Sequence, residues 1–301
     1  MIIIADSGAT KTDWLITFTN DRNYKIIKTE GINPFHQTEE KIRDIVFKQF
    51  MPEIFASANN NCECSCKGTS GNPSEKEGVK IYFYGAGCLP EPSKVIKKIL
   101  SEAFPDSEIT VETDLTGAAR ALCQHSRGIA CILGTGSNSC MYDGEKVADN
   151  ISPLGYILGD EGSGAYIGKR FIGDCLKKQL PESLKDGFLN EYNLSVSDIL
   201  RKVYREPQAN RFLASVTPYI YNNKSNPHVR KLLKDCFSEF FRRNVLNYNI
   251  TDDLKINFTG SVAWYFHDEI IETAKDMRLN LGIFMKEPIL GLLDFHLSSE
   301  N

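Results

Sequence analysis

Ile2-Ile3-Ile4-Ala5-Asp6-Ser7-Gly8-Ala9-Thr10-Lys11-Thr12-Asp13-Trp14-Leu15-Ile16 opens the chain and decides how the rest is read. Its apolar start reads as a buried strand, and Trp14-Leu15-Ile16-Thr17-Phe18 reads as a second strand. The turn between them carries a carboxylate, two threonines and a lysine. Gly8 allows close backbone approach, so amides and the hydroxyls of Thr10 and Thr12 can face phosphate oxygens. Asp6, at the end of the first strand, suits Mg²⁺ held through water, because Mg²⁺ keeps several waters and takes few carboxylates. An ordinary hairpin turn would use the same residue types. A P-loop ending at Lys11-Thr12 would need glycine at positions 10 and 5, where Thr10 and Ala5 stand. The dinucleotide fingerprint needs a helix straight after its glycines, and here a β-like run follows. Any phosphate bound here is held by a β-hairpin.

The pattern recurs at mid-chain. Ile129-Ala130-Cys131-Ile132-Leu133 is an apolar strand, Gly134-Thr135-Gly136-Ser137-Asn138-Ser139 a glycine turn, and Cys140-Met141-Tyr142 a second strand. Two such units, one opening each half, point to a duplicated architecture with a ligand between the halves. Between them, strand-like Val79–Tyr84 runs into Gly85-Ala86-Gly87, followed by the helical stripe Val95, Ile96, Ile99, Leu100 and Phe104. Glu108–Glu112 then reads as a strand ending near Asp114, before helix-like Gly117–Leu122. Such alternation implies largely parallel sheets covered by helices. Ile42, Ile45, Val46 and Phe50 fall at helical spacing, with Pro52 expected as the stop. Residues 182–248 read as helical, 255–259 as a late strand before Gly260-Ser261, and Ile289–Leu293 as a short closing helix after Pro288.

With 301 residues, 42% hydrophobic and 25% charged, the chain can form two globular domains. A net charge of −4 leaves no electrostatic footprint for nucleic acid, and no apolar run reaches transmembrane length. The start lacks the basic region of a signal peptide, so the cytoplasm is the expected compartment. The nine cysteines are then expected mostly as buried thiols. Residues 56–78 are polar and low in complexity and read as a flexible insertion. The spacing of Cys62, Cys64 and Cys66 within it is too tight for a structural zinc site, with no histidine nearby.

The glycine turns around Gly8, Gly134–Ser137, Gly159–Gly164 and Gly260-Ser261, in that order, resemble the actin-like ATPase superfamily. Within it, the chain is similar to the N-acetylglucosamine kinase and BadF/BadG/BcrA/BcrD ATPase group. The resemblance implies an α/β, duplicated ribonuclease H-like fold of two domains with a cleft. The small domain would hold residues 1–114 and 287–301, the larger one residues 115–286. It implies ATP and Mg²⁺, with Asp6, Gly8, Thr10, Lys11, Thr12, Gly134, Thr135, Gly136 and Ser137 at the phosphates and metal. Gly260 and Ser261 resemble the adenosine motif. Asp114 matches the family's catalytic base, against the alternative of a helix N-cap. Asn33, Gly87, Thr135, Gly155, Tyr156 and Asp160 match sugar-contacting positions, although Asn33 also suits a turn and Asp160 a cap on a helix at Glu161. The implied reaction is transfer of the γ-phosphate of ATP to the 6-hydroxyl of an amino sugar: N-acetylglucosamine, glucosamine or N-acetylmuramic acid. Domain closure and a homodimer are expected with it. Leu154-Gly155-Tyr156 departs from the Trp-Gly-His run of the mammalian enzymes, which leaves the acyl group open. Two other readings remain. A dehydratase-activating ATPase would need an iron–sulfur cluster and give a brown, oxygen-sensitive protein. A non-catalytic sensor would turn over no ATP against any sugar.

Overall fold

A computed structural model describes residues 1–8, 10–17, 23–54, 78–251 and 253–298. In chain order the elements are β1 (Ile2–Ser7), β2 (Lys11–Thr17), β3 (Tyr24–Glu30), α1 (Glu39–Asp44), β4 (Lys80–Gly85), α2 (Ser93–Ala103), β5 (Glu108–Thr113) and α3 (Asp114–Cys123). There follow β6 (Gly128–Leu133), β7 (Ser137–Tyr142), β8 (Val147–Asp149), α4 (Gly155–Leu158), α5 (Gly164–Leu176), α6 (Glu182–Glu191) and α7 (Val196–Tyr204). The chain ends with α8 (Ala209–Ala214), α9 (Thr217–Asn222), α10 (Pro227–Arg243), β9 (Ile256–Thr259), α11 (Ser261–Tyr265), α12 (His267–Asp276), β10 (Leu281–Met285) and α13 (Ile289–Ser298). The chain divides into two compact units, Met1–Gly117 with Ile289–Asn301, and Ala118–Pro288.

Each unit is built on one five-stranded sheet, and the two sheets share a topology. The first has the order β3-β2-β1-β4-β5, the second β10-β9-β6-β7-β8. In both, the opening strand pairs antiparallel with the next one and parallel with a later one. The duplication expected from the two glycine turns is therefore a duplication of whole sheets. Only the β1–β2 and β6–β7 hairpins had spoken for it in the sequence.

In the first unit, Ile3, Ala5 and Trp14 face a core completed by Ile42, Ile45, Phe50, Ile96 and Ile99. Trp14 stacks on Phe50 with ring centroids 4.0 Å apart. The helix that carries Phe50 does not stop at Pro52. It widens into π-helical turns over Ile45–Phe50, with the Met51 N–H bonding Val46 O, and stays helical through Ile54. A wide turn relieves the clash between a proline ring and the carbonyl four residues back. In the second unit, Ile129, Cys131 and Leu133 pack with Ile167 and Phe171 of α5 and with Phe237, Phe240 and Phe241 of α10. The 56–78 insertion, with Cys62, Cys64 and Cys66, lies almost entirely outside the described residues.

Candidate active site

In the first unit the site begins at the β1–β2 hairpin, whose turn is closed by the Gly8 N–H donating to Lys11 O at 3.0 Å. Ser7 and Thr12 are fully buried cross-strand neighbours, with their hydroxyls 2.7 Å apart. Thr12 also donates to Glu30 O at 3.1 Å, so its hydroxyl is spent inside the hairpin rather than aimed at solvent. Thr10 is exposed. Gly8 has an ordinary backbone, and a Cβ there would meet nothing closer than Lys11 O at 3.9 Å. The protein's own packing thus leaves room at Gly8. Lys11 reaches the buried Asp13 at 2.7 Å, and Lys28 lies 3.8 Å from its other oxygen. Asp6 is half-buried at the end of β1, directly opposite Asp13.

Ser7 extends this hairpin to the next loop. It accepts from the Ile32 N–H and donates to Ile32 O, both at 2.9 Å, which fixes the backbone next to Asn33. Asn33 Oδ1 accepts from the Phe35 N–H at 3.0 Å, and Gln37 Oε1 accepts from the Asn33 N–H at 2.8 Å. Gly87 sits against Asn33 with φ +76°, where a Cβ would fall 2.2 Å from Asn33 Oδ1. Here glycine is required by both the backbone and the space. Asn33 and Gly87, matched separately to sugar positions, are thus neighbours.

Asp114 opens α3 straight after β5. Capping falls to Thr113, whose Oγ1 accepts from the Thr116 N–H at 3.1 Å. Asp114 Oδ1 accepts from the adjacent Leu115 N–H at 2.9 Å, and the carboxyl also meets its own backbone N–H. Burial pushes the Asp114 carboxyl above the usual carboxylate range, with the Leu115 bond pulling the other way. The nearby Cys88 thiol is pushed up to about 12, by burial first and by the Asp114 charge second, so it is no nucleophile.

In the second unit the Gly134–Ser137 turn and the Asp160 segment are bonded into one piece. Gly134 N–H donates to Gly136 O at 2.9 Å, and Gly134 O and Thr135 O accept from the N–H groups of Gly164 and Ala165. Asp160 is 8% exposed and left-handed at φ 55°. Its Oδ1 accepts from the Ser137 N–H at 3.4 Å, and a Cβ on Gly136 would lie 3.1 Å from its Oδ2. Burial pushes its carboxyl up to about 6, with the neighbouring Glu161 charge adding to the rise. The helix that follows begins at Gly164 rather than Glu161 and is capped by Ser163, so Asp160 does not cap it. Gly155 and Tyr156 lie in the short α4, where Ile157 and Leu158 are exposed, as is Leu154 just before it. Gly260 holds φ +107° against Leu133 O, which a Cβ would approach to 2.4 Å, and Ser261 beyond it is exposed.

Sequence reasoning missed Ser7, Phe35 and Cys88 around these groups. Ser7 stood in the quoted stretch, and a serine at a strand end beside a glycine turn was the available signal. Nothing in the sequence linked Phe35 or Cys88 to the site, since both contacts arise from chain folding.

Two α/β units of like topology, each with a glycine turn after its opening strand, define the duplicated two-domain fold of actin-like ATPases. No family model matches the chain. A solved structure from Porphyromonas gingivalis, of a candidate N-acetylglucosamine kinase, is 42% identical, with both chains covered in full and a TM-score of 0.90. A second, from Chromobacterium violaceum, is 16% identical with a TM-score of 0.74 over 98% of each chain and shares the fold. The N-acetylmuramic acid/N-acetylglucosamine kinase of Clostridium acetobutylicum is 24% identical over 252 residues, which is 80% of this chain and 76% of that one. The chain belongs to the N-acetylglucosamine kinase family, and it is a sugar kinase that takes its phosphoryl group from ATP. Among the described residues no helix is long and apolar enough to cross a membrane.

Proposed function

We propose that this kinase transfers the γ-phosphate of ATP to the 6-hydroxyl of an amino sugar: N-acetylglucosamine, glucosamine or N-acetylmuramic acid. The observation that carries this reading is the state of Asp114. It stands at a strand end, freed from capping by Thr113, with its carboxyl desolvated and its pKa raised. A carboxylate so placed can orient a sugar hydroxyl and accept its proton, and a raised pKa makes it the stronger base. The names of the Porphyromonas and Clostridium relatives support an amino sugar as acceptor.

The other roles follow the chemistry of the residues. Gly8, Thr10 and Lys11, with Gly134, Thr135, Gly136 and Ser137, bind phosphate oxygens through amides, hydroxyls and one ammonium. Thr12 holds the hairpin's shape. Gly260 and Ser261 bind the nucleoside. Asn33, Gly87, Thr135, Gly155, Tyr156 and Asp160 bind the sugar, where amide donors and carboxylate acceptors pair with vicinal hydroxyls. Asp6 suits Mg²⁺, since a single half-buried carboxylate at a strand end matches an ion that keeps most of its waters. When bound, Mg²⁺ neutralises charge on the phosphates. The protein's share is positioning and exclusion of water, which favours the sugar hydroxyl over hydrolysis. A cytoplasmic homodimer that returns cell-wall amino sugars to metabolism completes the proposal.

The test is ATP consumption coupled to product mass, with glucosamine, N-acetylglucosamine, N-acetylmuramic acid, glucose and no sugar. A 6-phosphate ester formed from one or more of the amino sugars is expected. ATP hydrolysis indifferent to every sugar would favour the dehydratase activator, and no turnover at all would favour the sensor.

A further inference from the structure

The loop between β3 and α1 presents an aromatic ring to solvent on a rigid base. Phe35 is 62% exposed, although large aromatic side chains ordinarily bury their apolar area. The loop beneath it is braced throughout. Gln37 Nε2 donates to Gly31 O at 2.8 Å, and Gln37 Oε1 takes the Asn33 N–H. The N–H groups of His36 and Gln37 both donate to Asn33 O. Ser7 ties Ile32 to the hairpin below. Phe35 Cβ sits 3.0 Å from where a Cβ at Gly87 would begin, and His36 meets its ring edge-on at 5.0 Å. Leu89, two residues past Gly87, is 50% exposed.

Asn33 adds a polar group beside this ring. Its Oδ1 is committed to the Phe35 N–H, which fixes the amide's orientation and leaves its NH₂ side without a partner among the described residues. An amide donor beside an exposed aromatic ring on a braced loop matches the two sides of a pyranose. Its hydroxyl oxygens accept hydrogen bonds at the rim, while its C–H face is apolar.

We propose that Phe35 is a substrate-positioning residue that stacks on the apolar C–H face of the acceptor sugar while the Asn33 amide donates to a ring hydroxyl. This rests on the amino-sugar reading above. It assigns to Phe35 a share in sugar binding and none in nucleotide binding or the chemical step.

The test compares Phe35→Ala and Phe35→Trp with the wild-type protein. N-acetylglucosamine is varied at saturating ATP, and ATP at saturating sugar. For Phe35→Ala the sugar KM is expected to rise at least tenfold, with the ATP KM within twofold and kcat at saturating sugar within threefold. Phe35→Trp keeps a wild-type sugar KM, and its tryptophan emission shifts as N-acetylglucosamine is added without nucleotide. A wild-type sugar KM in Phe35→Ala would overturn the proposal and leave the kinase reading intact. A matching rise in the ATP KM would overturn it too, by showing a general loss of loop structure. If the wild-type protein neither binds nor phosphorylates any of the amino sugars, the kinase reading fails, and the role of Phe35 fails with it.

Discussion

A carboxylate that is 8% exposed and a left-handed non-glycine backbone meet at Asp160, and both are costs that folding alone would not choose. Such conflicts between local rules gather where function needs them. The cost has a sign and a pH window. The folded-state pKa is raised to about 6, so folded protein holds a proton that unfolded chain releases near pH 4. Stability from this group is therefore greatest below about pH 4 and is lost as pH rises to about 6, by up to about 3 kcal/mol. Asp160→Asn removes the titration and can keep the bond from Ser137. Denaturant unfolding should find that variant more stable than wild type at pH 7, with a flatter slope between pH 4 and 6, while its sugar KM rises. An unchanged pH slope would show that Asp160 carries no such cost. Asp114 is raised in the same direction by burial, so its unprotonated, active form is lost at a higher pH than for a free carboxylate. The acid limb of the kcat profile belongs to it under the proposed mechanism. Asp114→Ala should lower kcat more than tenfold, at least about 1.4 kcal/mol of barrier, without loss of melting temperature. A variant retaining a tenth or more of wild-type kcat would exclude Asp114 as the base.

The two glycine turns of the first unit separate glycines that the fold needs from glycines that it does not. Gly87→Ala must put a Cβ 2.2 Å from Asn33 Oδ1 on a backbone at φ +76°, a cost on the order of 1–3 kcal/mol. It should lower the melting temperature and raise the sugar KM together, since relief comes by moving Asn33. Gly8→Ala meets only Lys11 O at 3.9 Å and should melt like wild type. Under the phosphate-loop reading its effect falls on the ATP KM instead. Parallel melting curves and kinetics on the two variants check both statements, and an unchanged ATP KM in Gly8→Ala would remove the glycine from the phosphate site. What the sequence revealed follows the same division. The central strands β1, β4 and β6 were legible because apolar runs mark them, and the central β9 and the edge strand β5 because apolar residues alternate with polar ones in Ile256-Asn257-Phe258-Thr259 and Glu108-Ile109-Thr110-Val111. β3, β8 and β10 were not. β3 lies at a sheet edge with most of its side chains exposed or half-buried, β8 spans three residues, and β10 is irregularly paired. Edge strands such as these need little apolar surface, so their sequences carry little period-two signal. The proposed site is legible at its glycines and carboxylates, which sit in short motifs. It is illegible at Ser7 and Thr113, and at Phe35 under the stacking proposal, because their parts depend on contacts between loops and on which residue takes the cap.

The repeated five-strand unit is closed differently in its two copies, and that difference is visible only in the whole chain. The second unit is built from one continuous stretch, Ala118–Pro288, and its core is filled from α5 to α12. The first unit is completed by the chain's far end. There α13 buries Ile289, Leu292 and Leu293 and packs on β1. His296 bonds the buried Tyr84 hydroxyl at 2.8 Å and stacks on Tyr82 at 3.6 Å. Tyr84 in turn leans on Gly117 of α3, where any Cβ would come within 2.9 Å of it. The last helix thus braces the strand that leads to Gly87 and the helix that begins at Asp114. Fully burying three large aliphatic side chains contributes on the order of 1.5–3 kcal/mol each, a large share of the stability of an ordinary domain. Ending the chain after Pro288 should therefore open the first unit selectively. In hydrogen exchange of the truncated protein, amides of β1, β4 and β5 lose protection while those of β6, β7 and β9 keep it. His296→Ala in the full chain gives a smaller loss confined to the same strands. Equal loss of protection in both sheets would mean that the two units unfold as one cooperative body and that α13 stabilises the molecule as a whole.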